Sequence, residues 1–296
     1  MLLRIATRSS AQALAQTGWV ADRLRAAHPG LDVTLVPTET AGDRDTTTPI
    51  WELGGKGVFA KEVQVAVLTG LADVAVHSAK DLPSTTPDGL VVAAVPTRRD
   101  PRDALVGARL DDIPVGGRVA TGSIRRRAQL AALRPDLTFA GLRGNIGTRL
   151  ERAAEHDAIV VAVAALEWLG ATDRIAETLE PGRMLPQVAQ GGLAAECRAD
   201  DATTKDLLAA LEDPVARRCF EAERSFLRTL GGDCSLPAGA FATPLAASGD
   251  VAIEGLVAAV DGTTVLRHHL VGAPLDAGRL VAEHLLASGG AALLGR

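Results

Sequence analysis

The chain has 296 residues, a formal net charge of -5, 47% hydrophobic and 23% charged residues, which leaves room for two or three domains with cores of their own. Aromatics are 3% of residues and tyrosine is absent, which argues against a nucleic-acid binder with its extended basic face and stacking platform. No stretch reaches the roughly 18 consecutive apolar residues of a membrane helix, and MLLRIATRSS lacks the apolar run of a secretory signal.

LLRIAT reads as a first strand, and Ser10 to Ala27 as a helix capped by Ser9 or Ser10. DVTLVPT is a second strand. A polar loop and the glycine-rich GGKG turn then open a helix, and LADVAVHS is a third strand. This βαβαβ order predicts a parallel sheet with right-handed crossovers. TRRDPRDAL reads as a connector to a second α/β unit: a strand at RVATGS, a helix from Ser123 to Leu133, a strand at LTFAG, a helix from Asn145 to Glu155, and DAIVVAVAAL as a buried strand. LPQVAQGGLAAECR is expected to carry the chain back into the first sheet. Helices at Thr203–Leu211 and Pro214–Leu230 follow. Antiparallel strands at AGAFATPLA, DVAIEGLVAAV and TTVLRHHLVG come next, then a closing helix near Asp276 to Ala287. The expected architecture is two α/β lobes and a small C-terminal α+β domain.

Charge is unevenly placed. Arg118, Arg125, Arg126, Arg127, Arg134, Arg143, Arg149 and Arg152 fall in one 35-residue stretch, opposed only by Asp136 and Glu151. Guanidinium forks match carboxylates and phosphates bidentately, so such a cluster in an acidic chain suggests a small polyanionic ligand. Ligands of open parallel sheets bind at the carboxyl ends of strands. ATRSS, HSAKDLP and ATGSIRRR all stand at such positions, and a cleft between two lobes would gather them. Thr121, Ser123 and the helix start beside Arg125 and Arg126 would form an anion site there. Arg127, Arg134 and Arg152 fit a solvated helix face better.

Asp81 follows Lys80 at a strand end. In a chain with this many arginines it reads either as a structural partner of one of them or as a carboxylate that holds a donor N–H and stabilises developing positive charge. The odd number of cysteines, with no CxxC pair, fits a reducing cytoplasm and argues against a disulfide framework or a cysteine zinc site. Cys197 and Cys219 fit packed thiols. Cys234, in LGGDCSLPAG, is an inconsequential loop cysteine, a nucleophile or a covalent anchor. No histidine carries a hydrolase signature, no metal site is expected, and GGKG lacks the spacing of a P-loop.

In this order, RIATRSS, GGKGVFAKE, DVAVHSAKDLP, DPRDAL, SIRRRAQL, LRGNIGTRL, LPQVAQGGLAAECR and GGDCSLPAGAF closely resemble the porphobilinogen deaminase family over nearly the whole chain. The resemblance implies two periplasmic-binding-protein-like α/β lobes around a cleft, at 1–97 with 189–212 and at 103–188. It also implies a C-terminal α+β domain at 213–296 that carries the cofactor cysteine. It implies a cytoplasmic, monomeric transferase that joins four porphobilinogen molecules head to tail with loss of ammonia to give hydroxymethylbilane. A dipyrromethane held by a thioether to Cys234 is the implied primer, with no membrane or nucleic-acid partner. By motif match, Asp81 is the catalytic aspartate. Lys80, Asp81, Thr121, Ser123, Arg125, Arg126, Arg143 and Gln190 are implied around the cofactor, and Arg8, Ser10, Gln16, Arg143, Arg149, Lys56 and Phe59 around substrate.

Three positions depart from the family pattern: Trp168 where an arginine is common, Gly122 in place of the first serine before the double arginine, and Asp233 in place of a glycine. A binding protein for a small polycarboxylate, without catalysis, is the competing expectation.

Overall fold

Strand β1 (Leu2–Arg8) alternates toward a buried core at Leu3 and Ile5. It feeds helix α1 (Ala11–Ala27), whose N-cap Ser10 accepts a hydrogen bond from the Ala13 N–H as the sequence predicts. The computed structural model describes residues 1–45, 57–232, 235–246 and 248–296. After α1 come β2 (Asp32–Thr38), a one-turn α2 (Ala41–Arg44), α3 (Lys61–Leu68), β3 (Val74–Ser78) and β4 (Leu90–Ala94). The second unit holds β5 (Asp103–Gly107), β6 (Arg118–Ala120), α4 (Ile124–Leu133), β7 (Thr138–Ala140), α5 (Ile146–Glu151), β8 (Ala158–Ala162), α6 (Val163–Trp168) and β9 (Ile175–Leu179). β10 (Leu193–Arg198), α7 (Ala202–Leu208) and α8 (Pro214–Thr229) follow, then β11 (Ala238–Pro244), β12 (Val251–Ala258), β13 (Val265–Gly272), α9 (Pro274–Leu285) and a last turn, α10 (Ala291–Leu293).

The first sheet runs β2-β1-β3-β10-β4 and the second β7-β6-β8-β5-β9. β1 is parallel to β2 and β3, as predicted, but β10 lies antiparallel between β3 and β4, so the sheet is mixed. The second sheet repeats the plan, with β5 antiparallel between β8 and β9. In each sheet the antiparallel strand arrives by a crossing between lobes, which is why two chain segments join them. β11, β12 and β13 form an antiparallel meander. α8 and α9 cover it around Phe226, Ile253 and Val281, and this core continues onto Ala79, Leu82 and Val188 beneath the first sheet.

Three details correct the sequence reading. Asp103, Ala104 and Leu105, read as connector, are strand β5. The strand expected over DAIVVAVAAL stops at Ala162, and Val163–Trp168 is helical. Val163 to Leu166 are all buried, so no apolar period marks the change. β4 and β9 were not anticipated, because GLVVAAV and IAETL are short and lack clean alternation.

Candidate active site

The carboxyl ends of β1 and β3 face the N-termini of α4 and α5 across a cleft of about 390 Å³. Arg8, Ser10, Gln16, Phe59, Lys80 and Asp81 line it from one side, and Ser123, Arg126, Arg143 and Arg149 from the other. The topology explains this convergence. Each lobe presents strand ends and helix starts to the other, the usual place for a ligand in an open α/β sheet.

Asp81 sits in the turn after β3, partly exposed. Nη1 of Arg8 approaches its carboxylate to 3.7 Å. Arg8 is itself held from behind, where Nε donates to Asp43 Oδ2 at 3.2 Å and Nη2 pairs with the other Asp43 oxygen. Its guanidinium carbon lies 4.3 Å from the centroid of the Phe59 ring. Phe59 fits there because Gly42 lies beneath it, where a Cβ would come within 2.2 Å of the ring. Gln16 is buried and accepts a hydrogen bond from the Ser78 hydroxyl at 2.9 Å.

Across the cleft, Ser123 caps α4 by accepting the Arg126 N–H at 3.4 Å. Arg126 is buried, and its Nε and Nη2 donate to Asp103 Oδ1 at 3.0 and 2.8 Å. Arg125 turns the other way. It forms an ion pair with Asp103 Oδ2 at 2.8 Å and donates to the Leu185 carbonyl at 2.5 Å. Neither Arg125 nor Thr121 lines the cleft; the Thr121 hydroxyl accepts the Ser123 N–H at 3.2 Å. Burial would raise the Asp103 carboxyl, but Arg125 and Arg126 hold it down at about 2. Gln190, fully buried, donates to Asp103 Oδ1 at 2.8 Å and to the Pro101 carbonyl at 2.7 Å, and accepts from Lys80 Nζ at 3.3 Å.

Burial, then the Arg126 charge, lowers the Lys80 ammonium to about 8, although part of its side chain still reaches the cleft surface. Arg149 is lowered to about 10, by burial first and then by Arg126 and Arg143. Its Nε donates to the Gly144 carbonyl at 2.8 Å, and among the described residues its Nη atoms have no hydrogen-bond partner. Arg143 donates to the Asp45 carbonyl at 2.6 Å and is lowered by burial. Crowded cations with free N–H groups are what a polycarboxylate would satisfy. Lys56 and Cys234, expected in the cleft loop and as cofactor anchor, lie outside the described residues.

The sequence reading missed three contributors. Asp43 anchors Arg8, Asp103 anchors both arginines of α4, and Glu223 binds the crossing segments. Glu223 is fully buried. It pairs with Arg98 Nη1 at 2.6 Å and accepts the Ala189 and Ala242 N–H groups at 2.6 and 2.8 Å. Ala189, whose N–H Glu223 accepts, has a positive φ of 59° beside Gln190. Each of these acids has an arginine next to it in the chain, Arg44, Arg102 and Arg224, so no local signal marked its long-range partner.

Family models describe residues 3–206 as "Porphobilinogen deaminase, dipyromethane cofactor binding domain" and residues 217–287 as "Porphobilinogen deaminase, C-terminal domain". The chain belongs to the porphobilinogen deaminase family. A porphobilinogen deaminase of Roseiflexus castenholzii is 46% identical over 99% of this chain and 98% of its own. One of Syntrophobacter fumaroxidans is 43% identical over 99% of this chain and 97% of its own. Among solved structures, the methionine binding protein MetQ aligns at a TM-score of 0.44 and 15% identity, over 71% of this chain and 89% of that one. The family assignment makes the chain a transferase of tetrapyrrole biosynthesis with a dipyrromethane cofactor, and it displaces the non-catalytic binding protein as a reading. The cationic lining fits that cofactor, whose pyrroles carry acetate and propionate side chains.

Proposed function

We propose that this cleft joins porphobilinogen units head to tail, with Asp81 as the catalytic carboxylate and Cys234 as the covalent anchor of the primer. The observation that carries the reading is the placement of Asp81, a partly exposed carboxylate facing Arg8 with Lys80, Arg126, Arg143 and Arg149 around the same cavity. When bound, the dipyrromethane supplies the pyrrole carbon to which the first substrate is joined. Lys80, Ser123, Arg126 and Arg143 would hold its carboxylates, with Gln190 fixing Lys80 and Arg126 from below. Arg8, Ser10, Gln16, Phe59 and Arg149 would orient the incoming unit, with Lys56 closing over it. Asp81 accepts N–H groups of the reacting rings and offsets positive charge as ammonia departs. Arg125 and Thr121 act through Asp103 and Ser123, by positioning.

We assign the lobes to 1–97 with 189–212 and to 103–188, and the C-terminal domain to 213–296, a division supported by which strands share a sheet. The protein is proposed to work as a cytoplasmic monomer whose partner is porphobilinogen and not nucleic acid. Among the described residues, no helix is long and apolar enough to cross a membrane.

Intact mass followed by peptide mapping tests the reading. The purified protein should carry two linked pyrrole units on Cys234, and Cys234→Ser should carry none. A wild-type chain that stays unmodified after incubation with porphobilinogen would overturn it.

A further inference from the structure

Trp168 ends α6 in the second lobe, yet its indole packs against the hydrophobic core of the first lobe beside Trp19. Among the described residues, every other side chain of that cluster comes from positions 3–94 or 193–211. Trp19, on α1, meets Trp168 edge to face, with centroids 6.0 Å apart and planes at 75°. The Arg99 guanidinium sits 3.6 Å from the Trp168 ring centroid and 3.7 Å from Glu167. Arg99 belongs to the first crossing between lobes, and its N–H donates to the Gly191 carbonyl of the second at 3.0 Å. One side chain therefore ties together a helix of each lobe and the segments that join them. Trp168 also closes a cavity of about 10 Å³ whose other walls include Gln12, Gln16, Ser78 and Lys80. Those four residues line the main cleft as well. The indole thus stands behind Lys80 and the polar side chains Gln12, Gln16 and Ser78 of the cleft wall.

We infer that Trp168 is a positioning residue that latches the two lobes at their resting closure and so limits how far the cleft opens as the pyrrole chain lengthens. The second half of this inference rests on the elongation reading above; the first half does not. The physical reason is that a chain growing beyond its two-ring primer must enlarge or shift a cavity of about 390 Å³. The lobes can part only by separating the indole from Trp19 or from Arg99, which are held by aromatic and cation–π contacts.

Two readouts on the holoenzyme test it: hydrogen exchange without substrate, and the ladder of partly elongated complexes seen by intact mass after limiting porphobilinogen. Trp168→Ala should speed amide exchange in α1 and α6 several-fold while leaving β11, β12 and β13 at wild-type rates, and should move the ladder toward longer chains. Trp168→Phe, which keeps apolar packing, should fall between. Wild-type exchange in α1 and α6 together with a wild-type ladder would overturn the latch. Should Trp168→Ala fail to fold, Trp168→Phe decides. Wild-type values on both readouts would then make Trp168 a packing residue only and overturn the proposal. Failure of the elongation reading looks different, because no ladder would form on any variant or on wild type while the exchange contrast persisted.

Discussion

The Arg8 guanidinium stands 3.7 Å from the Asp81 carboxylate while its other edge is bound to Asp43. Asp81 is thus approached by a cation that is already committed elsewhere, which leaves its oxygens available to pyrrole N–H groups. Asp81→Ala should lower kcat by at least about 10²–10³-fold, the usual cost of removing a preorganised electrostatic group. Circular dichroism should be unchanged, since the side chain is partly exposed and supports no core contact. Turnover within tenfold of wild type would refute the role.

Lys80 sets a pH limit. Its ammonium is lowered from 10.5 to about 8, so its charge is lost as pH rises through 8. KM for porphobilinogen should then climb by up to about tenfold per pH unit above 8. Lys80→Arg keeps the charge and should flatten that limb. The same shift acts on folding in the opposite sense. Holding a buried ammonium costs stability below pH 8, and the cost is relieved between pH 8 and 10.5, where the unfolded chain binds the proton more tightly. A KM profile that stays flat from pH 7 to 9.5 would exclude Lys80 as a charged ligand.

Asp103 neutralises two buried arginines at once, through ion pairs of 2.8 Å to Arg125 and to Arg126. Asp103→Asn leaves both cations uncompensated and should destabilise the fold by about 3–5 kcal/mol, read by urea denaturation at pH 7. Because the carboxyl is held down at about 2 against a usual 3.8, its stabilisation is present above pH 3.8 and lost as pH falls toward 2. The variant should lack that acid-dependent loss. Equal stability of the two proteins at pH 7 would contradict the network.

Gly122 stands where the family pattern has a serine. A Cβ there would come within 2.6 Å of the Leu142 carbonyl oxygen, and backbone cannot yield as a flexible side chain does. Restoring the hydroxyl with Gly122→Ser should therefore destabilise by about 1–3 kcal/mol and raise KM through displacement of Ser123. Thermal melting and steady-state kinetics check both, and a variant that melts as wild type with a lower KM would show that the turn after β6 has room.

The chain by itself determined most of its elements and the character of its chemistry, though not β4, β5, β9 or α6. Ser10, Ser123 and Asn145 announced three helix starts because N-cap chemistry is local. Arg8, Lys80, Asp81, Arg126 and Arg149 stood at strand and helix ends, where open α/β sheets bind ligands. Only tertiary structure decided what pairs at long range. It sent Arg125 to Asp103 and Leu185 and away from the cleft, although its neighbour Arg126 lines it. Adjacent helical residues point about 100° apart, and which direction meets the cleft depends on how α4 docks. It set β10 and β5 antiparallel in otherwise parallel sheets, a consequence of crossings whose partners are remote in sequence. It also carried Trp168 across to the core of the other lobe, because an indole is buried wherever an apolar surface is in reach and no local pattern encodes which surface that is.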